Sequence, residues 1–202
     1  MKIFCIGRNY SEHAKELGNA VPENPVVFSK PDTALLKNGE PFYLPEFSQD
    51  VHHEIELVIR INKVGKNIQE KFAANYFNEL GLGVDFTARD LQAQLKSKGL
   101  PWELAKGFDG SAPIGDFFSI EGLDLNNINF GLQKNGDWVQ QGNTKDMIFS
   151  FAQIISFISK YFTLKVGDLI YTGTPAGVSA VAIGDKLVGF VEDKQMIAFE
   201  VK

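Results

Sequence analysis

Cysteine is almost missing from this chain: Cys5 is the only one in 202 residues. A single thiol cannot close an internal disulfide, so a reducing compartment, the cytoplasm, is the expected location. Cys5 lies in the apolar run from Ile3 to Ile6, the setting of an inert buried thiol rather than of a nucleophile. Positive charge is also short. The net charge of −5, with no basic face in view, argues against a nucleic-acid partner. No apolar run reaches the length needed to cross a bilayer, so no membrane partner is expected. The first residues do not read as a signal peptide, because the charged "GRNYSEHAKE" follows at once. Repeats and low-complexity tracts are absent as well.

What remains is ordinary globular composition, 44% hydrophobic and 22% charged. The length suits one domain over residues 1–202, with 1–50 forming an N-terminal strand, a lid helix and a loop region within it. "KIFCIG" reads as a strand, and "SEHAKELG" as a short helix capped by Ser11 and stopped at Gly18. Five prolines between Asn19 and Asp50 break up the loop region around the strand-like "VVFS". In "EKFAANYFNEL", Phe72, Tyr76 and Leu80 recur at helical spacing. "GLGVDFT" is a short strand interrupted by Asp85, and "TARDLQAQLKSKG" a helix with Thr87 as cap. Asn135-Gly136 signals a hairpin, "SFAQIISFISKYF" a helix with Phe151, Ile154, Ile155 and Ile158 inward, and the last seventeen residues before Lys202 a second hairpin. Strands outnumber helices. The fold class is α+β, β-rich, with a mainly antiparallel core.

The chemistry begins at "VHHEIELVIR", residues 51–60. Ile55, Leu57, Ile59 and Ile61 alternate, which is a strand with one face on a core. Glu54 and Glu56 then share the other face, roughly 7 Å apart along the strand. A wet sheet face explains such a pair, and on this stretch alone that reading leads. The sharper reading is that both carboxylates hold a hard divalent cation, Mg²⁺, Mn²⁺ or Ca²⁺. Asp85 supplies a third acid, set between Val84 and Phe86 where an unpaired carboxylate is expensive to bury. Capping of the following helix is its structural alternative. Three acids without His or Cys favour Mg²⁺ or Mn²⁺ over Zn²⁺.

"GRNYSEHAKE", "VHHEIELVI", "GVDFTARDLQ", "KGLPWELAKGFD" and "IYTGTPAGV" occur in the order seen in the fumarylacetoacetate hydrolase family. The chain resembles its small, single-domain acylpyruvase and oxaloacetate decarboxylase branch, from Ile6 to the final hairpin. The resemblance implies a fold of packed mixed β-sheets and a homodimer. It implies Glu54, Glu56 and Asp85 as metal ligands, with His13 and Glu16 as a catalytic dyad. It gives Lys106 a catalytic charge, and makes Arg89, Gln92, Lys30 and Thr174 substrate-binding groups. A surface role is the alternative for the dyad, Arg89 and the lysines. His52 and His53 match the pattern and are read as packing or hydrogen-bonding groups. The chain departs from the pattern at Ser29, where Leu is common, and in "AKGFD", where Gly107 and Asp109 place a flexible point and an extra acid near Lys106.

Such a site suits a small 2-oxo acid as substrate. Three reactions share it: hydrolysis of an acylpyruvate, decarboxylation of oxaloacetate, and tautomerisation or isomerisation of oxaloacetate or a 2-hydroxydienoate. A metal-dependent binding module without turnover is the non-enzymatic alternative. The segment 8–25, a helix too short to stand alone followed by glycine and prolines, is expected to act as a lid.

Overall fold

The computed structural model describes residues 1–12 and 21–202. In chain order the first strands are β1 (Ile3–Gly7), β2 (Val26–Lys30), β3 (Leu35–Lys37), β4 (Val51–His53), β5 (Ile55–Arg60), β6 (Glu79–Val84) and β7 (Thr87–Ala88). Helices α1 (Arg89–Ser97) and α2 (Glu103–Lys106) follow, then β8 (Ala112–Ser119) and the hairpin β9 (Asn129–Lys134) and β10 (Asp137–Asn143). Helix α3 (Phe151–Tyr161) precedes β11 (Leu169–Tyr171), β12 (Ser179–Ala180), β13 (Lys186–Val191) and β14 (Lys194–Glu200). Among the described residues no helix is long and apolar enough to cross a membrane.

Three sheets result. A seven-stranded sheet runs β2-β1-β11-β5-β6-β8-β3, a four-stranded one β10-β9-β13-β14, and a three-stranded one β12-β4-β7. The pairs β1–β11 and β3–β8 are parallel and the rest antiparallel, as the alternating patterns and short loops require. Asn135 and Gly136 take positive φ in the β9–β10 turn, where Asn and Gly tolerate that conformation best. Helix α3 carries the Ser150/Gln153 capping box and buries Phe151, Ile154, Ile155 and Ile158.

Strand β5 is buried on both faces. Ile55, Leu57 and Ile59 enter the main core. Val58 joins Ile3, Cys5 and Tyr171 in a second cluster. The wet-face reading of Glu54 and Glu56 is therefore overturned, since they are 5% and 2% exposed. The stretch is also not one strand. It breaks at Glu54, so β4 belongs to the three-stranded sheet and β5 to the seven-stranded one. Glu54 thus stands where two sheets part. Its carbonyl accepts from Asp85 N, 2.8 Å, while Ile55 N donates to Gln140 Oε1, 3.0 Å. A side chain replaces the missing ladder partner.

Two other expectations need correction. "EKFAANYFNEL" forms a 3-10 helix over Glu70–Tyr76 with no side-chain cap, and Leu80 is taken into β6 opposite Ile59. Phe72 is 48% exposed, so the spacing of Phe72, Tyr76 and Leu80 is not a buried face. Thr87 does not cap α1. It pairs with His52 in β7–β4, its hydroxyl donates to Glu54 Oε1 at 3.0 Å, and Ala88 holds the cap position. The first turn is tied down instead by Arg89 N to Asp50 O and by the Asp90 carboxylate, which accepts from Ser48 Oγ and Gln49 N.

His53 is buried beside the break. The Gln140 amide nitrogen donates to Thr174 Oγ1 and Pro175 O, so its oxygen faces His53 and Ile55 and accepts from both. Nδ1 of His53 then carries the proton and Nε2 accepts from Ser179 Oγ. Burial lowers its pKa to about 4. The unfolded chain protonates near pH 6.5, so unfolding takes up a proton in between. This contribution to stability is whole above about pH 6.5 and is lost as pH falls towards 4. The native His53 ring resonance in NMR should titrate near pH 4; a midpoint at or above 6 would refute the locked imidazole. Opposite Glu56 in β6 stands Gly83, whose added Cβ would lie 2.7 Å from Tyr171 Cε1 and 2.8 Å from Pro113 O. Gly83→Ala should lose about 1–3 kcal/mol from overpacking, seen as a lower urea midpoint at unchanged slope; an unchanged midpoint would show that the Tyr171 ring yields freely.

Candidate metal centre and substrate cavity

Glu54 at the sheet junction, Glu56 on β5 and Asp85 just beyond β6 each place a carboxylate oxygen within 4.8 Å of the others. All three are buried, Asp85 at 1% exposure. The register explains the meeting: Ile55 pairs with Val84, so the residue before β5 and the residue after β6 leave the sheet side by side.

Three cations answer two of the acids. Lys106, at the end of α2, donates to Glu54 Oε2 at 2.8 Å and Asp85 Oδ2 at 2.7 Å. Lys30, at the end of β2, lies 2.7 Å from Asp85 Oδ1. Its ammonium also donates to the carbonyls of Phe86 and Ser111 and to Ser111 Oγ. Arg89 opens α1 and donates from Nη2 to Glu54 Oε1 and from Nη1 to Gln92 Oε1. Burial works against the Lys106 ammonium, but Asp85 and Glu54 outweigh it and raise its pKa, so this lysine stays charged.

Glu56 is different. Among the described residues its carboxylate has one hydrogen bond, from Gly173 N at 2.7 Å, and no cation at ion-pair distance. Burial first, then Asp85 and Glu54, push its pKa well above the usual carboxylate range. A buried acid repelled by two others and paired with no cation is a place where a further positive charge lowers the free energy. The donors are all hard oxygens. The residues present therefore fit Mg²⁺, Mn²⁺ or Ca²⁺.

The acids line a narrow cavity of about 40 Å³ together with Ile6, Gly7, Arg8, Phe28, Arg89, Gln92, Lys96, Trp102, Lys106 and Thr174. Of the residues expected at the site, the structure thus brings together Glu54, Glu56, Asp85, Arg89, Gln92, Lys106 and Thr174. Lys30 does not line the cavity; it stands behind Asp85. Arg89 Nε is buried with no partner among the described residues, which leaves one donor for an incoming acceptor. Asp109 is exposed and does not line the cavity, and Gly107 closes α2 where a Cβ would crowd Glu103 O and Pro31. His13 and Glu16 lie outside the described residues, as do the Gly18 stop and residues 13–20 of the expected lid.

Sequence reasoning missed Arg8, Lys96, Trp102 and Gln140. Arg8 sits in the quoted "GRNYSEHAKE" and Lys96 on the same helix face as Arg89 and Gln92, so both carried a signal that was passed over. Gln140 carried none. Its partners Ile55, His53 and Thr174 lie far away in sequence, and a register shift between Trp138 and Gln140 marks where β10 departs from regular pairing.

The family model for the C-terminal region of fumarylacetoacetate (FAA) hydrolase matches residues 2–202. The chain belongs to the fumarylacetoacetate hydrolase family. It is 43% identical over 202 residues to the oxaloacetate tautomerase FAHD1, mitochondrial, of Arabidopsis thaliana, covering 100% of this chain and 91% of that protein. The oxaloacetate tautomerase YcgM of Escherichia coli (strain K12) is 42% identical over 188 residues, 92% of this chain and 86% of that one. Among solved structures, the fumarylpyruvate hydrolase of Pseudomonas aeruginosa in complex with Mn²⁺ and pyruvate superposes with a TM-score of 0.94 at 34% identity, over 100% of this chain and 89% of its own.

Calorimetric titration with Mg²⁺ or Mn²⁺ should find one ion per chain, and Glu56→Gln should weaken it at least about tenfold. Failure of the native chain to bind Mg²⁺, Mn²⁺ and Ca²⁺ at millimolar concentration would remove the metal centre.

Proposed function

We infer that the chain is a divalent-metal-dependent enzyme acting on short 2-oxo acids through their enolates, with keto–enol tautomerisation of oxaloacetate as its reaction. One observation carries this: the carboxylate triad, a charged Lys106 and Arg89 share one narrow cavity. The names of two relatives above 40% identity support it. Mg²⁺ or Mn²⁺ held by Glu54, Glu56 and Asp85 would supply Lewis acidity towards negative charge developing on the 2-oxo oxygen.

The chain's own groups do the rest. Lys106 keeps its proton, so it serves as a fixed positive charge and donor beside the enolate oxygen rather than as a base. The unpartnered Nε of Arg89 is available to the substrate carboxylate, and Gln92 Oε1 holds the guanidinium in orientation. Thr174, fixed by Gln140, bounds the cavity. Tautomerisation moves one proton between C3 and the oxygen and consumes no water. That proton transfer is assigned to His13 oriented by Glu16, on the family pattern. A second reading, hydrolysis of an acylpyruvate by water activated at the same dyad, is supported by the fumarylpyruvate hydrolase of the same fold.

The discriminating assay follows the ultraviolet absorbance of the enol form. With Mg²⁺ or Mn²⁺ the enzyme should speed ketonisation of enol-oxaloacetate, EDTA should abolish this, and Lys106→Met should lower kcat about 10²-fold. Faster cleavage of acylpyruvates, with ¹⁸O from water in the product, would put hydrolysis first. Inertness towards both substrates with each metal would overturn the proposal.

A further inference from the structure

Five cations are associated with the cavity or its acids, and three are committed. Lys30, Lys106 and Arg89 are spent on Asp85 and Glu54. The other two, Arg8 and Lys96, line the cavity and have no acid at ion-pair distance among the described residues. Like charges left together without an anion are unfavourable, and the cluster is felt electrostatically: burial, then Arg8 and Arg89, lower the Lys96 pKa.

The backbone fixes where Arg8 leaves β1. Arg8 holds φ at +61°, a left-handed conformation that a residue with a Cβ adopts at a cost of about 1–2 kcal/mol. This turn also delivers Asn9 to its buried hydrogen bonds with Phe149 and Thr172. Helix geometry accounts for Lys96. Arg89, Gln92 and Lys96 are at i, i+3 and i+7 of α1, one face over two turns, roughly 10 Å along the axis. A side chain on a helix leans towards its N-terminus, so the Lys96 stem reaches back over the turn of Gln92.

We propose that Arg8 and Lys96 form a second anion subsite that binds the distal carboxylate of the substrate and selects dicarboxylic over monocarboxylic 2-oxo acids. The inference rests on the 2-oxo-acid reading above. On this reading the acids and Arg89 take the 2-oxo carboxylate, and Arg8 and Lys96, which line the same cavity, are assigned the distal carboxylate.

The test reads binding, so it stands apart from which reaction is catalysed. The Mn²⁺-loaded protein is titrated calorimetrically with pyruvate and with 3,3-difluorooxaloacetate, a dicarboxylate that cannot enolise. Lys96→Met and Arg8→Met should each weaken the dicarboxylate about tenfold and leave pyruvate within twofold, and Lys96→Arg should restore most of the preference. Lys98→Met, exposed at the end of α1, is the control for long-range charge and should change neither ligand. Equal losses for both ligands, no loss for either, or an equal effect of Lys98→Met would overturn the subsite. If the native protein binds neither ligand while binding Mn²⁺, the 2-oxo-acid reading itself fails.

Discussion

Three carboxylates buried within 4.8 Å of one another, at the point where two sheets part, are the constraint around which the rest of this fold is arranged. Each unpaired buried charge is costly, and the repulsion among them adds to that. The chain answers with cations from three separate elements: Lys30 from the edge strand β2, Arg89 from the start of α1 and Lys106 from the end of α2. Each of those elements is short. None would fix a side chain well by itself, and the ion pairs also pin the elements to the sheet. Removing one partner would strand another charge in the interior, so the site and the local fold are not separable.

The sheet break at Glu54 is what turns a strand pattern into a site. Had β4 and β5 run on as one strand, Glu54 and Glu56 would point the same way from a single sheet, and Asp85 would face the ladder. Instead Glu54 O takes Asp85 N, and Gln140 supplies the acceptor that Ile55 N would otherwise lack. The same amide holds His53, Thr174 and Pro175. One glutamine therefore links β5 to the Thr174 loop that bounds the cavity.

Much of this was legible, and the failures have physical causes. The hairpin at Asn135-Gly136 and the buried face of α3 are local events, dictated by φ preference and period, and they came through. Glu54, Glu56 and Asp85 were legible as a group because acids in apolar strands demand an explanation. The wet-face alternative for Glu54 and Glu56 failed because period 2 shows that a strand has two faces, not what covers the second one. Phe72, Tyr76 and Leu80 misled because pairing with β5 claimed Leu80 against its helical spacing. Thr87 looked like a cap, but Glu54 outbid the helix end for its hydroxyl. Gln140 was invisible, since its whole role lies in contacts distant along the chain.

Charge balance connects the metal to the substrate. Counted at full formal charge, the three acids equal Lys30, Lys106 and Arg89 in number, although these pair only with Glu54 and Asp85, and Arg8 and Lys96 stand in excess beside them. A divalent cation bound by the acids would leave the cavity strongly positive. A dianion of the oxaloacetate type then offsets all of the charge that the metal adds, and a monoanion only half of it. In a cavity of low dielectric that difference is large compared with the same charges in water. On the reading proposed here, metal and dicarboxylate binding reinforce each other through the field they share, with no change of fold required, and linkage makes the effect reciprocal. Arg8 and Lys96 would give that preference a direction, because a general positive field attracts any anion while a pair of donors at the far end recognises where its second charge sits.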